Sequence, residues 1–259
     1  MNDTHKTSSA DRSIREKIFC AIDTPDLARA QALAALLSGH IGGIKLGLEF
    51  FSAHGPDGVR EVMGASGNTD LFLDLKFHDI PNTVAAAIGA AAALGPRLIN
   101  VHAGGGPAML EAARKAAQDA ADASDIDRPL VLGVTVLTSL DGTDLRAMGV
   151  HAQMGKNIKV EDQVVRLASL AAEAGLDGII CSAREVGALR IALGPDFILV
   201  TPGIRLASAG TDDQKRVTTP ADALRAGADY LVIGRPITSD PDPAAAADRI
   251  VAEAAAALD

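Results

Sequence analysis

Short apolar runs alternate with longer, Ala-rich amphipathic segments along most of the chain. Apolar runs bounded by turn residues are typical of buried strands, whereas apolar positions that recur every three or four residues predict helices. The apolar runs predict strands at 17–23, 42–47, 70–77, 97–102, 130–136, 177–181, 196–201 and 228–233. The amphipathic segments predict helices at 26–39, 55–65, 82–94, 106–123, 160–174, 183–192, 219–226 and 243–257. The segment 137–160 is expected to carry short helices of its own.

Strands and helices that alternate in this way predict an α/β protein with a single (β/α)8 TIM barrel. An open doubly wound sheet is the alternative. The Gly-rich turn that would favour a dinucleotide-binding sheet is missing after the first strand, where AIDTPDLA follows instead. No linker or change of composition divides the chain. We therefore expect residues 1–15 to form a disordered tail and residues 16–259 to form one barrel domain.

Composition narrows the possible partners. The chain has 259 residues, a net charge of −9 and a pI of about 5.1, which argues against binding to nucleic acid or to an anionic membrane. No apolar stretch predicts a signal peptide or a membrane span. Cys20 and Cys181 lie in apolar, strand-like runs, so we expect buried free thiols and a location in the reducing cytoplasm.

The run LFLDLKFHDIPNTV, residues 71–84, places charges inside an otherwise apolar strand. Strand alternation puts Asp74 and Lys76 on one face, opposite Leu73 and Leu75. An unpaired charge that is buried in a protein destabilises it by roughly several kcal/mol. A surface ion pair on an edge strand is the alternative. The apolar neighbours favour a buried pair, which indicates a functional site.

Polar residues also follow most other predicted strands, and (β/α)8 barrels carry their chemistry at these strand ends. These residues are Asp23, Lys45, Asp79, His102, Thr138, Ser139, Arg205 and Arg235. Arg205 in TPGIR and Arg235 in IGRP stand beside glycines whose N–H groups can approach an anion, which predicts a phosphate site after strands seven and eight. Ordinary turns with solvated arginines are the alternative. No His, Cys or Asp cluster has the spacing of metal ligands, so we expect no metal.

Seven segments resemble the bacterial members of the orotidine 5′-phosphate decarboxylase family. In chain order they are FCAIDTPD, IKLGLEFF, FLDLKFHDIPNTV, VHAGGG, GVTVLTS, TPGIR and LVIGRPIT. The Asp-x-Lys-x-x-Asp pattern alone is only moderately specific, because related sugar-phosphate decarboxylases and aldolases carry it. The longer segments are specific. Gly104 departs from the family pattern, which usually has a small polar residue there.

The resemblance implies conversion of orotidine 5′-phosphate to uridine 5′-phosphate and carbon dioxide, without a cofactor. It implies that Lys76 donates a proton to the C6 carbanion and that Asp74 faces the substrate carboxylate. Lys45 would keep the charges balanced and contact the ribose, and Asp23 would accept a hydrogen bond from a ribose hydroxyl.

The resemblance further implies a homodimer with composite active sites. The residues that would reach the partner's site are Asp79, Ile80 and Thr83. Thr138 would contact the pyrimidine, and Gln214 would bridge phosphate and base. The residues that would bind the phosphate are Arg205, Gly234 and Arg235.

Two other functions are alternatives. A Mg2+-dependent 3-keto-sugar-phosphate decarboxylase or a hexulose-phosphate aldolase would need a metal-binding carboxylate on the second strand, where this chain has Lys45. A non-enzymatic barrel that binds a phosphate ligand is the second alternative, and the complete Asp74, Lys76 and Asp79 set argues against it.

Overall fold

The computed structural model describes residues 9–150, 159–204 and 219–258. Its strands are β1 Ile18–Ala21, β2 Gly43–Gly47, β3 Asp70–Phe77, β4 Leu98–His102, β5 Leu130–Val134, β6 Gly178–Ile180, β7 Ile198–Pro202 and β8 Tyr230–Ile233. These strands follow one another in chain order around a closed barrel. The predicted (β/α)8 barrel is therefore confirmed, and every predicted strand is found within two residues of its expected bounds.

Helices alternate with the strands. They are α1 Ser9–Glu16, α2 Leu27–Leu37, α3 Leu48–Ala65, α4 Pro81–Ala92, α5 Pro107–Ser124, α6 Gly142–Ala147, α7 Val160–Glu173, α8 Val186–Leu193, α9 Pro220–Arg225, α10 Arg235–Thr238 and α11 Pro243–Ala256. Helix α6 lies in the segment for which the sequence predicts short helices. Helix α3 begins at Leu48, earlier than predicted, and consists of two helical segments that meet at Gly55, whose φ of 61° is not helical. The predicted helix 55–65 corresponds to the second segment.

Helix α1 falls within the segment for which the sequence predicts a tail. Ile14 is only 8% exposed, and Arg15 Nη2 lies 3.4 Å from the Asp248 carboxylate. Burial of Ile14 and this ion pair attach the helix to the rest of the chain. Residues 1–8 lie outside the described residues.

The chain divides into two compact units, and the first contains β1, β2 and β8. The parallel register pairs Ala21 of β1 with Lys45 of β2. Phe19 is fully buried and meets Phe72 and Tyr230 edge to face, with ring centroids 6.3 and 5.6 Å away. A Cβ atom on Gly43 would overlap the Phe19 ring. Glycine at this position therefore leaves the space that the Phe19 ring occupies.

The second unit contains β4 to β7. The register pairs Asn100 with Leu132 and His102 with Val134 across β4 and β5. Residues on both faces of these strands are buried, as expected for parallel strands covered by helices. The two polar residues of β4, Asn100 and His102, therefore lie among apolar neighbours.

The two cysteines are buried and free, as the sequence predicted. Burial raises the pKa of the Cys20 thiol to about 12, and the nearby Asp23 charge contributes. The thiol therefore stays protonated at neutral pH. Among the described helices none combines the length and apolar character that a membrane span requires.

Candidate functional site

A buried ion pair lies at the C-terminal end of β3. Lys76 Nζ donates to Asp74 Oδ1 over 2.5 Å. The Asp74 side chain is 10% exposed and that of Lys76 is 28% exposed. The alternative of a solvated surface pair is therefore wrong. The Lys76 ammonium therefore lies at a partly exposed position, whereas the Asp74 carboxylate is buried.

Asn100 of β4 is the second partner of this ion pair. Its side chain is fully buried. Asn100 Nδ2 donates to Asp74 Oδ1 over 2.7 Å, and Asn100 Oδ1 accepts from the backbone N–H of Lys76 over 2.7 Å. One amide group thus contacts both members of the pair.

Lys76 has an unusual backbone conformation. Its φ is 49°, in the left-handed region that costs a non-glycine residue about 1–2 kcal/mol. Such strain persists where surrounding contacts hold it, and it concentrates at functional sites. The hydrogen bond from the Lys76 N–H to Asn100 is such a contact.

Two histidines adjoin the pair. The ring centroids of His78 and His102 are 5.4 Å apart. Burial lowers the pKa of His102, and the charges of His78 and Lys76 lower it further against the opposing effect of Asp74. His102 is therefore neutral at pH 7.

A second ion pair lies at the ends of β1 and β2. Lys45 Nζ donates to Asp23 Oδ1 over 3.0 Å. The Lys45 side chain is 10% exposed, whereas the Asp23 side chain is 60% exposed. The pairing follows from the strand register, since the Ile22 N–H donates to the Lys45 carbonyl and Asp23 comes next in the chain. The Asp23 carboxylate is therefore available to a ligand.

The connection from β3 to α4 holds three more predicted site residues. Asp79 and Thr83 are exposed, and Ile80 is 67% exposed. Asp79 Oδ1 accepts from the Ile80 N–H over 2.6 Å, and the Thr83 N–H donates to the Ile80 carbonyl over 3.0 Å. This turn thus presents an apolar side chain and a carboxylate outwards.

The remaining predicted site residues are spread over three connections. Thr138 is exposed in the turn after β5, and Gly234 and Arg235 begin α10 directly after β8. Within the described ranges the exposed Arg235 guanidinium makes no hydrogen bond or ion pair. Arg205 and Gln214 lie outside the described residues.

Sequence reasoning did not single out Asn100 or Glu185. Glu185 is 9% exposed, its Oε2 accepts from the Ser182 N–H over 2.8 Å, and burial raises its pKa. Asn100 was detectable in principle, because it is a lone amide in the apolar run LINVH and lies two residues before His102. Its partners on β3 are distant in sequence, and no local pattern identifies them.

No group of three metal-ligating side chains is found where the structure describes the chain. The expected absence of a metal stays a prediction.

A closed (β/α)8 barrel whose strand ends carry Lys–Asp pairs defines a barrel enzyme suited to acid–base chemistry. Residues 16–250 match the family described as "Orotidine 5′-phosphate decarboxylase / HUMPS family", and the chain belongs to this family. It is 56% identical to the orotidine 5′-phosphate decarboxylase of Rhodospirillum rubrum, over 91% of this chain and 93% of that protein. It is 53% identical to that of Moorella thermoacetica, over 92% of each protein.

A solved structure agrees with these relatives. The crystal structure of orotidine 5′-phosphate decarboxylase from Lactobacillus acidophilus superposes with a TM-score of 0.77 at 35% identity, covering 92% of this chain and 98% of that chain.

Proposed function

We propose that this chain decarboxylates orotidine 5′-phosphate to uridine 5′-phosphate and carbon dioxide, the last step in the de novo synthesis of that nucleotide. The buried Asp74–Lys76 pair carries the proposal. Loss of carbon dioxide breaks the bond between C6 and the carboxylate and leaves an electron pair on C6 with little delocalisation. A lysine ammonium stabilises this charge as it develops and then supplies the proton.

Each member of the pair has a separate role in this proposal. Lys76 Nζ transfers its proton to C6, which completes the product. Asp74 holds the ammonium by the 2.5 Å hydrogen bond and faces the substrate carboxylate. The charge of the same carboxylate attracts the Lys76 ammonium and keeps it next to Asp74.

Lys45 and Asp23 bind the ribose in this proposal. The exposed Asp23 carboxylate accepts a hydrogen bond from a ribose hydroxyl, and Lys45 holds Asp23 in place. Lys45 also contacts the ribose and balances the charge of the acidic residues. The proposal is supported by the family's pattern, which the segments FCAIDTPD and IKLGLEFF match.

Asp79, Ile80 and Thr83 complete the active site of a second subunit in a homodimer. The exposed Ile80 side chain supports the proposal, because an apolar residue of this size gains stability when a partner covers it. The net charge of −9 argues against nucleic acid as the partner. We place the enzyme in the cytoplasm, in keeping with its buried free thiols.

The other proposed ligand contacts follow the later strands. Thr138 contacts the pyrimidine, and Gln214 bridges the phosphate and the base. Arg205, Gly234 and Arg235 bind the phosphate. The support comes from glycine N–H groups and guanidinium groups placed after β7 and β8 in the sequence, where barrels of this class bind phosphate.

Turnover of orotidine 5′-phosphate by the purified chain tests the function. We expect the ultraviolet absorbance of the substrate to fall as uridine 5′-phosphate forms, and we expect an excess of EDTA to leave the rate unchanged. The reason is that the Asp74–Lys76 pair supplies both the charge stabilisation and the proton.

The assays with and without EDTA also distinguish the proposed function from a metal-dependent sugar-phosphate enzyme and from a non-enzymatic binding barrel. Loss of activity on chelation, with recovery on adding Mg2+, would favour the metal-dependent sugar-phosphate enzymes. The chain has Lys45 on β2, where those enzymes would need a carboxylate. Complete absence of turnover with well-folded protein would favour a binding barrel.

Arg235→Ala should weaken turnover of the phosphorylated substrate. We expect kcat/KM for orotidine 5′-phosphate to fall by about 100-fold, on the order of the 1.5–3 kcal/mol of a hydrogen bond to a charged group. The much slower turnover of orotidine, which lacks the phosphate, should not change. Arg249→Ala is the matched control, because Arg249 is an exposed arginine that pairs with Asp240. Equal losses with both substrates would show that Arg235 does not contact the phosphate.

A further inference from the structure

We infer that Asn100 is a positioning residue that sets the geometry of the Asp74–Lys76 pair from both ends. Its amide makes two hydrogen bonds of 2.7 Å, one from the Lys76 N–H and one to Asp74 Oδ1. Together with the Lys76 Nζ contact on the same oxygen, these bonds form a closed loop of three residues.

The chemistry of the two partners fixes the orientation of the amide. The Lys76 backbone N–H needs an acceptor, and the Asp74 carboxylate needs a donor. Only an asparagine with Oδ1 towards Lys76 and Nδ2 towards Asp74 satisfies both groups at once. Leucine, aspartate and glutamine do not provide this combination at this side-chain length, which explains an amide within the apolar run LINVH.

The contact with the Lys76 backbone has a conformational consequence. Lys76 holds a φ of 49°, and the bond to Asn100 stabilises that conformation through its N–H. The backbone conformation sets the direction in which the lysine side chain leaves β3. Asn100 therefore determines where the Lys76 ammonium lies, although it does not contact that ammonium.

Asn100 acts only through its neighbours. Its exposure is 0%, so a bound substrate does not reach it. A substitution should therefore change the rate of the chemical step more than the binding of nucleotide. A misplacement of about 1 Å at reacting groups costs on the order of 100-fold in rate.

Two substitutions separate the two hydrogen bonds. Asn100→Asp keeps an acceptor for the Lys76 N–H and replaces the amide donor with a carboxyl group that faces the Asp74 carboxylate. Asn100→Leu loses both. Thr69→Val is the matched control, because it removes another buried side-chain hydrogen bond of 2.7 Å, from Thr69 Oγ1 to the Ser66 carbonyl, at the opposite end of β3.

Kinetics and amide hydrogen exchange are the measurements. The kinetic effect rests on the proposed decarboxylation, whereas the exchange of the Lys76 amide does not. We expect both Asn100 variants to lose about 100-fold in kcat, with KM and the dissociation constant of uridine 5′-phosphate within about threefold of the starting protein. Exchange of the Lys76 amide should become at least about tenfold faster in Asn100→Leu and stay slow in Asn100→Asp. Thr69→Val should keep its kcat.

Three results would overturn the inference. The first is a kcat within about threefold of the starting protein in Asn100→Leu, which removes both hydrogen bonds. The second is a parallel loss of kcat in Thr69→Val at a similar fall in melting temperature, which would indicate general destabilisation. The third is unchanged exchange of the Lys76 amide in Asn100→Leu. Should Asn100→Leu fail to fold, Asn100→Ala replaces it in both measurements, because alanine also removes both hydrogen bonds and has a smaller side chain. A starting protein that does not turn over orotidine 5′-phosphate would refute the proposed function, and the exchange result would still decide the role of Asn100.

Discussion

Lys76→Ala should abolish decarboxylation while the barrel stays folded. The substitution removes both the proposed proton donor and the charge that stabilises the C6 carbanion. It also removes the Lys76 contact of the Asp74 carboxylate, which is 10% exposed, and breaking a buried pair costs about 3–5 kcal/mol of stability in the least favourable cases. Circular dichroism and thermal unfolding measure the fold, and single-turnover assays of orotidine 5′-phosphate measure the chemistry.

A matched control is available on the surface of the protein. Lys115 pairs with Asp119 on α5, and its side chain is 74% exposed. Lys115→Ala removes a lysine of the same kind from an Asp–Lys pair, and exposed pairs contribute only about 0–1 kcal/mol. We expect full activity and nearly unchanged stability. Lys76→Ala protein that keeps more than a small fraction of kcat would refute the assigned role of Lys76.

Mixing two inactive variants should restore activity if the active site is composite. Asp79→Asn and Lys76→Ala should each be nearly inactive as homodimers. In a mixed dimer one site carries both defects and the other carries neither. Random exchange of subunits gives about half mixed dimers in a symmetric pair, so about a quarter of all sites should be active. The recovered rate after mixing measures this fraction.

A second mixture provides the negative control. Asp74 and Lys76 lie on the same strand, β3, and belong to the same subunit's site. Mixing Asp74→Asn with Lys76→Ala therefore leaves every site with one defect, and no activity should return. Subunit exchange is verified with mass-tagged chains. Persistent inactivity of the Asp79→Asn and Lys76→Ala mixture, despite verified exchange, would mean that Asp79 acts within its own chain.

Much of the fold follows from local patterns. Strand β3 and the helix after it are an example. The apolar positions predict the strand, and Pro81 predicts the start of the helix. The burial of strand β3 could be predicted, because alternating Leu and Phe residues flank the charges. The prediction was less successful where one residue interrupts a pattern, as Gly55 does in α3.

The eight strands, the barrel and the Asp74–Lys76 spacing are predictable from local sequence, because hydrophobic periodicity and an interval of two residues are local properties. The contacts that hold this pair are instead tertiary. The left-handed φ of Lys76 and the buried amide of Asn100 depend on the pairing of β3 with β4. Contacts between residues so far apart in the chain arise from the order of the strands around the barrel. A local sequence pattern therefore does not predict them.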